Sequence, residues 1–132
     1  MAEPERRLAS RIVLLPRDTN SHGAIFAGII LSYLDLAGAV EAERYAPDLD
    51  TPHQPFVTMA MRGVRFCEPV YVGDLLSFYT RTVRLGRSSV TVHVEVEATR
   101  ADRPGGLVPV TQADVVYVAI DKDRRPAPIK RS

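Results

Sequence analysis

The chain has 132 residues, 45% hydrophobic, 25% charged and 7% aromatic, which is the balance of an ordinary globular domain with a core of its own. Cys67 is the only cysteine and the three histidines are scattered, so a disulfide scaffold and a zinc module are excluded. Seventeen basic against sixteen acidic side chains leave a net charge of +1, too small for an electrostatic nucleic-acid binder. The opening MAEPERRLAS has charges and a proline where a signal peptide needs an apolar run, and a cytoplasmic protein is expected.

No internal repeat, low-complexity tract or linker interrupts the chain, so a single domain over residues 1–132 is expected. Arg11 to Leu15 is a short β-like run. Ala24 to Tyr45, AIFAGIILSYLDLAGAVEAERY, reads as one long helix closed off by Pro47. At 1.5 Å per residue it would extend about 33 Å, and its apolar residues surround the axis, so it must be enveloped. Asp35 near its middle would cost about 2.5–3.5 kcal/mol in a bilayer, and the run is short of the usual ~20 residues, so no membrane span is expected.

Four strands are predicted to follow: Phe56 to Phe66, Asp74 to Leu85 after the Gly73 turn, Ser88 to Thr99 after Gly86-Arg87, and Val110 to Asp121 after a loop holding Pro104, Gly105 and Gly106. In the third of these, Val90, Val92, Val94 and Val96 alternate with polar residues, as in a strand with one buried face. Short connections favour an antiparallel sheet, and only the helix can cover its apolar face. The expected class is α+β, a curved sheet wrapped around one helix.

Two segments carry chemistry. The polar hinge Asp18 to Gly23, DTNSHG, offers Asn20 and Ser21 as helix caps. The same helix start could polarise a substrate carbonyl through its unpaired N–H groups, with Gly23 admitting a close approach. Within the helix, Gly28, Ser32, Asp35, Ala39 and Ala42 share one narrow face of small and polar residues. A carboxylate there is either paired structurally or serves as a base. Asn20 precedes Asp35 by fifteen positions, roughly 20 Å along a helix, so the two meet one substrate only if a partner helix runs antiparallel across a two-fold axis.

The run LPRDTNSHGAIFAGIILSYLDLAGAVEAERYA resembles the helix region of the hotdog-fold acyl-CoA thioesterases, the acyl-CoA hydrolase family. VTMAMRGVRFCEPVYVGD resembles that family's second strand and following turn, and LGRSSVTVHVEVEA its glycine-arginine-serine strand. The likeness runs from about Leu14 to Ile120. Ala27 stands where the family usually has the first of two glycines, a change that would narrow the acyl passage.

The resemblance implies a hotdog fold and hydrolysis of acyl-CoA thioesters at a site shared between two subunits. It implies Asp35 as the catalytic carboxylate, a general base on water or a nucleophile. Asn20 would orient the thioester carbonyl or the water, the Gly23 N–H would contribute to the oxyanion hole, and Thr58 would orient the water. Arg87, Ser88 and Ser89 would line the coenzyme A route, with Arg62 and Gly63 facing it from the second strand. The basic residues Arg124, Arg125, Lys130 and Arg131 read as a solvated terminus, and His22 and His93 as structural or exposed. No metal and no separate cofactor is implied, since coenzyme A is part of the substrate. A homodimer at minimum follows from the shared site, and both tetramers and hexamers occur in the family. Two rivals remain: a hotdog protein that binds acyl-CoA without hydrolysing it, and an enoyl-CoA hydratase using Asp18 and His22, whose four-residue spacing departs from that family's motif.

Overall fold

The computed structural model describes residues 5–45, 54–100 and 105–129; Pro47, Pro104, Lys130 and Arg131 lie outside them. Five strands, β1 (Arg7–Val13), β2 (Phe56–Phe66), β3 (Leu75–Leu85), β4 (Ser89–Thr99) and β5 (Leu107–Ala119), form one sheet in the order β1-β3-β4-β5-β2. Every neighbouring pair is antiparallel, as the short connections predict. The central strand, β4, turns Val90, Val92, Val94, Val96 and Ala98 into the core, all of them buried. Burying each valine fully is worth about 1.5–3 kcal/mol, so this single row holds the sheet to whatever packs on it.

What packs on it is α1 (Ala27–Ala42), followed by a 3-10 turn over Glu43–Tyr45. Ile30, Leu34, Ala37, Gly38, Glu41 and Ala42 face the sheet and are buried. The buried Glu41 accepts a hydrogen bond from Thr82 on β3 at 2.9 Å and pairs with Arg44 at 2.7 Å, which ties the end of the helix down. The curved sheet thus wraps one side of α1. The opposite side is also apolar but uncovered, with Phe26, Leu36 and Val40 exposed by 57%, 62% and 50%. Envelopment of the whole helix, expected from its composition, is completed only halfway by this chain.

Three elements differ most in extent from the sequence reading. The helix begins at Ala27 and not at Ala24, because Ala24 and Ile25 are held extended: Ala24 bridges to Tyr71, and the Ile25 N–H donates to the Val70 carbonyl at 2.7 Å. Its sixteen residues extend about 24 Å, not 33. β1 starts at Arg7, ahead of the predicted Arg11, because pairing with β3 uses backbone groups that its side-chain pattern does not reveal, and it stops at Val13, short of Pro16. β5 starts at Leu107 and runs through Pro109; the register shift opposite Glu97 lets a proline sit in an inner strand.

Candidate active site

Asp35 lies in the middle of α1, half-buried at the border between the sheet-covered and uncovered sides. Gly28 and Ala39 share that border, Ser32 is exposed and Ala42 is buried. The Ser32 hydroxyl donates back to the Gly28 carbonyl at 2.9 Å and so plays no part at the carboxylate. Thr58 does: its Oγ1 donates to Asp35 Oδ1 at 2.7 Å. A third group, which the sequence reading missed, is Tyr117 on β5, whose O–H lies 2.6 Å from the Asp35 carbonyl oxygen and 3.2 Å from Oδ1. The register explains the meeting, for Thr58, Tyr117 and Val90 are paired across β2, β5 and β4. Burial first, then the charge and hydrogen bonding of Asp35, push the Tyr117 phenol well above its ordinary pKa, which keeps it a donor.

The turn Gly86 to Ser89 sits at the same end of the sheet, because Ser89 pairs with Val118, the neighbour of Tyr117. Its carbonyls are tied in: Arg87 accepts the Ile129 N–H and Ser88 the Ala119 N–H, at 2.9 and 2.8 Å. The Arg87 side chain is exposed. Arg62 and Gly63 are elsewhere. Arg62 pairs with Asp114, four residues along β2 from Thr58 or roughly 13 Å of strand, and Gly63 has φ +61 where the β2–β5 register shifts. Arg124, at φ 62, and Arg125 lie in an exposed turn closed by Asp121. His93 is held by Asp114 at 2.7 Å on the sheet face away from the helix, and His22 is exposed.

Asn20 does not cap the helix, nor does Ser21. Phe26 is the N-cap residue and provides no side-chain bond. The Asn20 carboxamide oxygen instead accepts the N–H groups of His22 and Ala24 at 2.8 and 3.2 Å, which folds the hinge on itself and leaves the side-chain NH2 without an acceptor among the described residues. The Gly23 N–H, at φ +85, is aimed at the Asn20 carbonyl at 3.3 Å, so it reaches a substrate only by giving up that long bond. Asp18 accepts the Leu15 N–H through its carboxylate and is not hydrogen-bonded to His22.

A cavity of about 320 Å³ opens beside the hinge, lined by Asn20, Ala24, Ile30, Phe66, Cys67 and Val70 among others. Asp35 is not among its lining residues. Thr58, which binds Asp35, and Phe66, which lines the cavity, stand eight residues apart on β2, roughly 26 Å of strand. On the helix side the gap is shorter: Ile30, which lines the cavity, stands five residues before Asp35 on α1, roughly 7.5 Å along the axis. Among the described residues no group of three His, Cys, Asp or Glu side chains is placed to hold a metal, and no helix is long and apolar enough to cross a membrane.

Comparison with known proteins gives a consistent answer. Residues 22–102 match the model of the thioesterase superfamily. The chain is 36% identical over 128 residues to the acyl-CoA thioester hydrolase YciA of Salmonella typhimurium, covering 96% of this chain and 92% of the relative. Among solved structures it resembles a hexameric hotdog fold thioesterase of Campylobacter jejuni, with 40% identity, a TM-score of 0.82, and coverage of 92% and 89% of the two chains. A hexameric thioesterase of Yersinia pestis aligns with a TM-score of 0.85 and 32% identity over 98% and 99%. The sheet wrapped on one helix is the hotdog fold.

Proposed function

Because the chain belongs to the thioesterase superfamily, we propose that it hydrolyses acyl-CoA thioesters to free coenzyme A and a carboxylic acid, at a site assembled from two subunits. The observation that carries this reading is the Asp35 carboxylate, held through Oδ1 on the border of an uncovered apolar helix face. Nearby hydrophobic exposure extends to Val57 and Met59 on the edge strand β2, and a second copy covering both would bury what a lone chain leaves in water. Across a two-fold axis, that copy would bring its own hinge to Asp35. A dimer is the least such assembly, and likeness to two hexameric thioesterases favours six subunits.

In the proposed reaction Asn20 directs its NH2 at the thioester carbonyl oxygen, and the helix-start N–H groups add positive potential as charge develops there. Gly23 joins them if its long bond to Asn20 opens. As base, Asp35 takes a proton from a water oriented by Thr58, the water oxygen adds to the thioester carbon, and the proton passes to the sulfur as coenzyme A leaves. As nucleophile, Asp35 attacks the carbon, coenzyme A leaves as thiolate and takes a proton from solvent, and water then hydrolyses the acyl-aspartyl anhydride. Nothing in this chemistry calls for a metal or a separate cofactor. The domain acts in the cytoplasm, on a small molecule, without nucleic acid or membrane. Incubating the protein with a panel of acyl-CoAs of increasing chain length tests the reading. Thiol release should exceed the spontaneous rate for at least part of the panel; tight acyl-CoA binding without any release would replace the enzyme by a binding protein.

Arg87, exposed at the end of the sheet nearest Tyr117, is proposed to meet the nucleotide phosphates, with Ser88 and Ser89 along the pantetheine arm. Arg62 and Gly63, farther along β2, are assigned a lesser part in the same route. Arg87→Ala should raise KM for acyl-CoA by roughly tenfold with little change in kcat, and the loss should shrink for a pantetheine thioester lacking the nucleotide. Equal losses on both substrates would assign Arg87 to structure.

A further inference from the structure

Tyr117 is 1% exposed, and its phenolic O–H touches two acceptors of a single residue, the Asp35 carbonyl oxygen and Asp35 Oδ1. One contact with the main chain would suffice to satisfy a buried phenol. The second makes the ring a strut between the helix backbone and the carboxylate it carries. Thr58 donates to the same Oδ1, and among the described residues no donor reaches Oδ2. The full bond from Thr58 and the weaker share of the single Tyr117 proton, bifurcated between the carbonyl and Oδ1, both fall on one carboxylate oxygen and single out the other.

Gly38, one turn beyond Asp35, bears independently on this arrangement. Glycine is an unfavourable helix residue, and Gly38 has no positive φ to require it. A Cβ at this position would instead collide with the Tyr117 hydroxyl oxygen and crowd two ring carbons at 3.0 Å. The glycine is the notch that lets the phenol reach the Asp35 carbonyl.

Resting on the hydrolysis proposed at Asp35, we infer that Tyr117 is a positioning residue for that reaction: seated in the Gly38 notch, its O–H holds the carboxylate by Oδ1 so that Oδ2 is presented to the water or thioester. The hydroxyl is dispensable to the fold on this account. In Tyr117→Phe the Asp35 carbonyl keeps its helical partner and Oδ1 keeps Thr58, so no buried acceptor is orphaned.

The test is steady-state thiol release by Tyr117→Phe, with folding checked by circular dichroism and thermal melting. We expect kcat to fall roughly tenfold while KM for acyl-CoA stays within about twofold. A purely structural hydroxyl would lower the melting temperature and leave kcat per folded molecule intact, as Val92→Ala in the core should. Gly38→Ala, which keeps the hydroxyl but displaces it, serves as the second variant. It should lower kcat in the native background and have little further effect beside Tyr117→Phe. Native kcat in folded Tyr117→Phe, or a Gly38→Ala loss that persists undiminished beside it, would overturn the inference. If such a result came with an active wild type and an inactive Asp35→Asn, the hydrolase reading would stand and this inference alone would fall. An inactive wild type would overturn both.

Discussion

Asp35→Asn is expected to give a folded, normally assembled protein whose turnover of acyl-CoA is lower by roughly 10²-fold or more. The substitution is nearly isosteric, and the amide oxygen can still accept from Thr58 Oγ1 and from the Tyr117 hydroxyl, as Oδ1 does now. What is lost is the carboxylate charge, including that on Oδ2, which no donor reaches among the described residues and which is proposed to take the proton or attack carbon. KM should change little, because binding of the nucleotide and acyl chain does not use the carboxylate. Both mechanisms open to Asp35 require this outcome, since an amide is neither a base nor a nucleophile at neutral pH. Wild-type rates of thiol release from folded Asp35→Asn would remove Asp35 from the chemistry.

The strands and the helix were legible because their signals are local. The alternation of valines in β4 and the dense apolar run of α1 each report which face is buried, and the core is built on those residues. Boundaries set by long-range pairing were less visible. Nothing around Ala24 and Ile25 forecasts that their backbone groups would be used by Val70 and Tyr71, far along the chain, and so the helix was drawn three residues too long at its start. The cap assignments for Asn20 and Ser21 failed with it.

At the site, Asp35 stood out as the one carboxylate on a small-residue face, and Thr58 entered through the family pattern. Tyr117 was hidden in a strand of alternating residues, where a tyrosine among valines reads as core. Only the sheet register, which sets it between Thr58 and Val90, reveals that its hydroxyl ends at Asp35. One local signal could have pointed there: a glycine in the interior of an otherwise strong helix, one turn from the carboxylate, asks what approaches it.

The helix face left uncovered was not foreseen. Composition led to the expectation that the sheet would envelop the whole helix, and a second chain entered only through the spacing of Asn20 and Asp35; the exposed Phe26, Leu36 and Val40 now give that chain a face to cover. The proposal that Asn20 of one chain serves Asp35 of another gives that second chain a catalytic part. Within one chain Asn20 stands in the hinge ahead of α1 and Asp35 eight residues into it, roughly 12 Å along the axis from the first helical residue, and Asp35 does not line the cavity beside Asn20.

Subunit mixing tests that claim most directly. Asn20→Ala and Asp35→Asn proteins, each inactive alone, are unfolded together in equal amounts and refolded, with refolded wild type and a size measurement confirming normal pairing. Half of the resulting dimers are mixed, and each mixed dimer has one site with both defects and one with neither. About a quarter of wild-type activity should therefore return if subunits pair at random across a two-fold axis. Were the two residues to act within one chain, every site would keep a defect, and a mixture as inactive as its parents would contradict the composite site.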